Sequence, residues 1–142
     1  MENFIIRDYR ESDYEALVGL WESTGLGGKH RGDDAMVILK TIETGGKLLI
    51  LESETEAAIV GSSWLTNDGR RMYLHHFGIA PALQGKGLAK QLLEASIDFA
   101  RQQNLQLKLE VHRGNTVALN LYKKYGFVYL GDYDVYIMRK YS

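Results

Sequence analysis

The stretch most able to do chemistry reads His76-Phe77-Gly78-Ile79-Ala80-Pro81-Ala82-Leu83-Gln84-Gly85-Lys86-Gly87-Leu88-Ala89. A strand ends, a proline blocks its continuation, and a glycine-rich turn opens a helix. Backbone N–H groups at such a helix start have no intrahelical acceptor and carry the positive end of the helix dipole. Together they form an anion site. Gly85 and Gly87 let the backbone approach a phosphate where a Cβ would clash, and Lys86 adds a point charge. The same glycines also suit a tight strand-to-helix turn that binds nothing. Two other phosphate motifs are excluded. Lys90 stands where a dinucleotide fingerprint needs its third glycine or alanine, and the chain has no GxxxxGK[ST] run.

His75 and His76 lie just before this turn. An imidazole can take a proton near neutral pH. Adjacent residues of a regular strand face opposite sides, so one of the two is expected toward a cleft unless a bulge intervenes. No third ligand stands at metal-site spacing, and no metal is expected.

The elements that must position these groups follow from periodicity. Phe4–Arg7 reads as a strand. Ser12-Asp13-Tyr14-Glu15 has the form of a capping box before a helix with Tyr14, Leu17, Val18 and Trp21 on one face. Gly25–Gly28 ends that helix. A second starts at Asp33 or Asp34 with Met36, Leu39 and Ile42 inward. Strands are expected over Lys47–Glu52, Ala57–Leu65 and Met72–Ile79, with Asn67-Asp68-Gly69 as a hairpin turn. A long helix runs from about Gly85 to Gln103, with Leu88, Leu92, Ala95 and Phe99 inward. Leu105, Leu107, Leu109 and Val111 alternate with polar residues, a strand that places Glu110 and His112 on its polar face. Thr116–Tyr125 is a helix closed by Gly126. Phe127–Gly131 and Val135–Arg139 are expected to pair as a hairpin. The order is that of a mixed α/β domain.

Composition bounds the rest. At 142 residues the chain suits one domain, 1–142. It has no cysteine, which removes disulfides, thiolate metal sites and a cysteine nucleophile. The net charge of −1 does not favour nucleic acid or an anionic membrane. No apolar run approaches a membrane span, and the N-terminal residues do not read as a signal peptide. A cytoplasmic location is therefore expected.

The motifs are more specific than the composition. Gln84-Gly85-Lys86-Gly87-Leu88-Ala89 resembles the Q/R-x-x-G-x-G/A signature of the GNAT superfamily of N-acetyltransferases, and Ile79-Ala80-Pro81 matches the V-x-P that commonly precedes it. Leu109-Glu110-Val111, Asn115, Ala118, Leu121-Tyr122 and Gly126-Phe127 are similar to that family's second signature. The resemblance implies an α/β fold with a mostly antiparallel sheet, splayed parallel strands 4 and 5, and helices on both faces. It implies acetyl-CoA as co-substrate and transfer of its acetyl group to a primary amine by direct attack in a ternary complex.

Residue by residue, the resemblance assigns the backbone of Gln84, Gly85, Lys86, Gly87, Leu88 and Ala89 to the CoA pyrophosphate. It assigns Phe77 and Ile79, with Gly78 as a bulge residue, to the pantetheine arm. Asn115 matches a residue that bonds the same arm, and it also suits a plain helix cap. Tyr122 matches the general acid, which would protonate the departing thiolate; it also suits a core aromatic position. Glu110 and His75 both match positions of a catalytic base. The acceptor pocket is expected from the first two helices and their connection, with Trp21, His30 and Arg31 as candidates beside Glu22, Asp33 and Asp34. The acceptor is expected to be a small amine or metabolite. The alternatives are a protein N-terminus or lysine, with a ribosomal-protein alanine acetyltransferase as the pattern, and a non-catalytic acyl-CoA sensor. The protein is expected as a monomer or homodimer.

Overall fold

The computed structural model describes residues 2–26 and 33–141. They fall into two compact units, Met1–Glu110 and Val111–Ser142.

The first unit is built on one sheet. Its strands are β1 (Phe4–Asp8), β2 (Lys47–Ser53), β3 (Ala58–Asn67), β4 (Arg71–Ile79) and β5 (Gln106–Leu109). They lie in the order β1-β2-β3-β4-β5. The first three pairings are antiparallel and β4–β5 is parallel. This is the mixed sheet that the family resemblance implies. The β3–β4 turn uses the expected chemistry. Gly69 sits at φ +87°, and the Asp68 carboxylate accepts from the N–H groups of Arg70 and Arg71.

Three helices cover the sheet: α1 (Tyr14–Thr24), α2 (Ala35–Glu43) and α3 (Leu88–Gln103). Alternation along β3 sorts them. Ser62 accepts a hydrogen bond from Trp21 of α1, whereas Ser63 bonds Ser96 of α3 at 2.6 Å. Even-numbered residues here thus face α1 and α2, and odd-numbered ones face α3. On the α1–α2 face, Leu17, Leu20, Trp21, Ile38, Leu48, Ile50 and Trp64 form a buried cluster.

Three expectations are corrected in this unit. The start of α1 is not fixed by Ser12 and Glu15. A short 3₁₀ turn over Glu11–Asp13 precedes it, and the Asp13 carboxylate accepts from the Arg10 N–H and binds Arg7 bidentately at 2.8 and 2.9 Å. In α2, Ile38 is the buried residue and Met36 is 75% exposed. Trp64 donates its indole N–H to Thr41 at 2.9 Å, and that bond turns Thr41 and Ile38 inward. In α3 the buried face is Leu88, Leu92, Leu93, Ser96 and Ala100, one step round from Ala95 and Phe99.

The second unit holds α4 (Thr116–Lys124). Gly126, at φ +90°, ends it. Its N–H reaches the Lys123 carbonyl while the Phe127 N–H reaches that of Tyr122, both at 3.1 Å. That is a Schellman cap. The expected strands at Phe127–Gly131 and Val135–Arg139 are not formed. Val128, Tyr129, Val135, Tyr136 and Ile137 are exposed. A two-stranded hairpin is at best marginally stable on its own in water.

Candidate active site

The glycine-rich stretch forms the expected strand-to-helix turn. Pro81–Leu83 makes one 3₁₀ turn after β4. Gly85 and Gly87 then adopt φ +82° and +80°, with Lys86 between them. Among the described residues, and apart from its own chain neighbours, no heavy atom lies within 4 Å of a Cβ built on either glycine. Their need for glycine is therefore the left-handed backbone, and the space above them is open to a ligand. In α3 the first N–H to find a carbonyl is that of Gln91, bonded to Gly87 at 3.4 Å. The N–H groups of Leu88, Ala89 and Lys90 precede it in the helix and point out of its start. Gln84 donates its side-chain amide to the Ile79 carbonyl at 3.0 Å, tying the end of β4 to the start of the turn. Outward N–H groups, open space and the positive end of the helix dipole together favour an anion.

Beside it, β4 is bulged. Ser62 pairs with Gly78 and Trp64 with His75, so His76 and Phe77 together oppose Ser63. The bulge residue is His76, at φ +46°, rather than Gly78. Holding a non-glycine residue in that region costs about 1–2 kcal/mol. Gly78 serves a different need: a Cβ there would lie 2.6 Å from Leu26 Cδ1. The bulge also cancels the strand alternation. Both imidazoles meet the Trp64 ring, His75 at 6.3 Å and His76 at 5.2 Å between centroids. They share one face of the sheet.

The β4–β5 ladder ends at the pair Leu74–Leu109. His75 and Glu110 are the next residues on the two chains. His75 Nε2 lies 2.9 Å from the Thr66 hydroxyl. Solvent still reaches His75, yet the protein packed round its ring pushes its pKa below the ordinary value. The nearby His76 adds to that shift, while Glu110 and Asp33 oppose it. The ring is neutral at pH 7 and can accept a proton. Because β5 stops at Leu109, strand alternation does not place Glu110 beside His112. Instead, His112 accepts the Gly114 N–H at a turn.

In the second unit, Tyr122 is 8% exposed and its ring meets that of Phe127 edge-on at 5.5 Å. Burial pushes its hydroxyl up to about 12, so it stays protonated through the physiological range. The Asn115 side chain accepts from the Ala118 N–H at 3.2 Å, so its carbonyl serves as a helix cap.

The acceptor candidates separate. Trp21 is fully buried, and its indole N–H is taken by Ser62 at 2.9 Å, so it belongs to the core rather than to a pocket wall. Asp34 caps α2 through the Val37 N–H. Asp33 bonds His76, a pair that sequence spacing does not reveal. His30 and Arg31 lie outside the described residues. Among the described residues no cluster of three or more metal-ligating side chains occurs, and no helix is long and apolar enough to cross a membrane.

The sequence model of the acetyltransferase (GNAT) family matches residues 7–127, and the chain belongs to that family. It is 49% identical over 51 residues to a mycothiol acetyltransferase of Renibacterium salmoninarum, a match covering 35% of this chain and 15% of that protein. The fold is similar to that of a GNAT-family acetyltransferase from Staphylococcus aureus Mu50, with a TM-score of 0.80, 20% identity, and coverage of 93% of this chain and 90% of that one. It is also similar to the aminoglycoside N-acetyltransferase AAC(6')-Iy in complex with CoA, with a TM-score of 0.78, 16% identity, and coverage of 99% and 97%.

Proposed function

We propose that residues 1–142 form a single acetyl-CoA-dependent N-acetyltransferase domain that acetylates a small primary amine. The observation that carries this reading is the open anion cradle of Gly85–Lys90 at the end of a bulged strand. In the proposed complex, the N–H groups from Gln84 to Ala89, with Lys86, hold the pyrophosphate. The main chain of Phe77, Gly78 and Ile79 lines the pantetheine arm; for Asn115 the same role rests on the family resemblance alone.

The chemistry follows from the pKa values of the reactants. A primary amine near pKa ~10 arrives protonated and must lose a proton before it attacks. His75, neutral at pH 7 and next to the end of the β4–β5 ladder, is the proposed base, with Glu110 as its partner or substitute. The amine nitrogen then bonds the thioester carbonyl carbon and gives up its second proton to solvent, the C–S bond breaks, and the sulfur leaves as thiolate. A thiol has pKa ~8.5, so a donor at sulfur assists. Tyr122 is proposed as that donor on the family resemblance and on its protonated state. A small acceptor is favoured because two likenesses carry small molecules in their names, mycothiol and an aminoglycoside.

The test is release of CoA thiol from acetyl-CoA against a panel of primary amines, peptides and protein N-termini. With no cysteine in the chain, the protein contributes no thiol background. Amine-dependent thiol release is expected. Failure to bind CoA would overturn the reading, and turnover on peptides alone would move the acceptor to proteins.

A further inference from the structure

The proposed reaction leaves a buried titratable pair beside the β4 bulge unused. His76 Nε2 lies 2.7 Å from Asp33 Oδ2, and the two side chains keep only 13% and 14% of their exposure. The His76 ring stands edge-on to Trp21 at 4.6 Å and to Trp64 at 5.2 Å. Its carbonyl accepts from the Ser62 hydroxyl at 2.7 Å, and Ser62 in turn accepts from the Trp21 indole. One residue is therefore held by α1, by β3, and by the residue just before the Asp34 cap of α2.

That residue is the left-handed one that makes the β4 bulge. A strained conformation persists only where its surroundings over-determine it. The Trp rings and the Ser62 bond pack against His76, but among these contacts only Asp33 offers a charge to the ring. Charge-assisted hydrogen bonds are the stronger kind. Without the bulge, the strand beyond Trp64–His75 would slip by one residue and turn each later side chain to the other face. The direction in which Phe77, Gly78 and Ile79 present their groups thus depends on His76 staying where it is.

We propose that Asp33 is a positioning residue: its bond to His76 pins the β4 bulge, and through it sets the main chain of Phe77–Ile79 for acetyl-CoA. This rests on the acetyltransferase reading above. In this proposal Asp33 acts through His76, to which its carboxylate is bonded, and not by contact with acetyl-CoA. Asparagine would keep an acceptor for the ring without the charge, and alanine would remove both.

The experiment measures the Kd of acetyl-CoA by calorimetry on the full chain. It also follows the amide NMR signals of Phe77 and Gly78. Asp33→Ala is expected to raise the Kd about tenfold, equivalent to about 1.4 kcal/mol. Asp33→Asn is expected to raise it about threefold, and both variants shift the two amide signals. Glycine needs no pin to hold a left-handed backbone. In a His76→Gly background, Asp33→Ala should therefore change the Kd less than about twofold. A merely structural role would give the same loss in both backgrounds, and that result overturns the proposal. So does one Kd shared by wild type, Asp33→Asn and Asp33→Ala. Should Asp33→Ala not fold, Asp33→Asn alone decides, and an unchanged Kd overturns the proposal. A wild type that fails to bind CoA would overturn the acetyltransferase reading instead. The pin is then judged by the amide signals, and unshifted signals overturn it.

Discussion

His75 and Glu110 each stand one residue past the last rung of the β4–β5 ladder, the Leu74–Leu109 pair. The two groups that resemble catalytic bases therefore occupy equivalent places on neighbouring strands. Their charges are coupled, since Glu110 draws the His75 pKa upward while burial and His76 press it down.

The sign of that shift makes a pH prediction. A base works only when deprotonated, and the His75 pKa is below its ordinary value. The acid limb of kcat/KM should fall below pH ~6.5. His75→Gln should remove the limb and lower kcat/KM about 10²-fold. Glu110→Gln should move the limb to still lower pH, because it removes a charge that favours the imidazolium. A limb unchanged in His75→Gln would transfer the role to Glu110.

Tyr122 carries the opposite kind of shift. Its hydroxyl, pushed up to about 12, remains a donor at every pH where the protein is assayed. Tyr122→Phe should lower kcat about 10²-fold and leave the Kd of CoA within about threefold. Steady-state kinetics beside calorimetry make the comparison, and an unchanged kcat would remove Tyr122 from the chemistry.

The anion cradle predicts loss of binding rather than of turnover. Gly87→Glu places a carboxylate where the pyrophosphate is proposed, and it forces a side chain to φ +80°. CoA binding should vanish. Gly87→Asn is the control, because asparagine tolerates the left-handed region. It should fold and retain weakened binding. Full binding by Gly87→Glu would place the pyrophosphate elsewhere.

The Arg7–Asp13 pair predicts acid sensitivity. Arg7 holds the Asp13 carboxyl below its usual pKa. Its stabilisation is fully present above the unfolded value of ~3.9 and is lost as pH falls through the folded one. Arg7 keeps its second partner, Glu52, so Asp13→Asn should cost about 2 kcal/mol at pH 7, or about 6 °C in Tm. The difference from wild type should shrink as pH falls below ~4. Thermal melts at stepped pH measure it.

What the sequence made legible was local. Asn67-Asp68-Gly69 names its own turn, and Gly126 with Phe127 names its own helix end. Gly85 and Gly87 mark the cradle because left-handed backbone is written in residue type. What it hid depends on partners far along the chain. The bulge at His76 appears only when β4 is laid against β3, since histidine carries no signal for φ +46°. The Asp33–His76 bond joins residues 43 positions apart. The face of α2 is hidden in the sequence because Met36 and Leu39 outweigh Thr41 in apolarity, whereas the Trp64 indole bonds the Thr41 hydroxyl. In the C-terminal segment, alternation of apolar and polar residues alone does not make a strand.

The Gln84–Ile79 bond closes the cradle using only the chain's own atoms. A cradle held in this way is already shaped before CoA arrives, so little ordering entropy is lost on binding. The group proposed to sit there, the pyrophosphate, is one that acetyl transfer leaves unaltered. On the proposed reading, spent CoA is held by the same donors as acetyl-CoA, and the cradle lowers ground state and transition state alike. The enzyme would then be throttled by its own product, and turnover would follow the ratio of acetyl-CoA to free CoA rather than the amount of either.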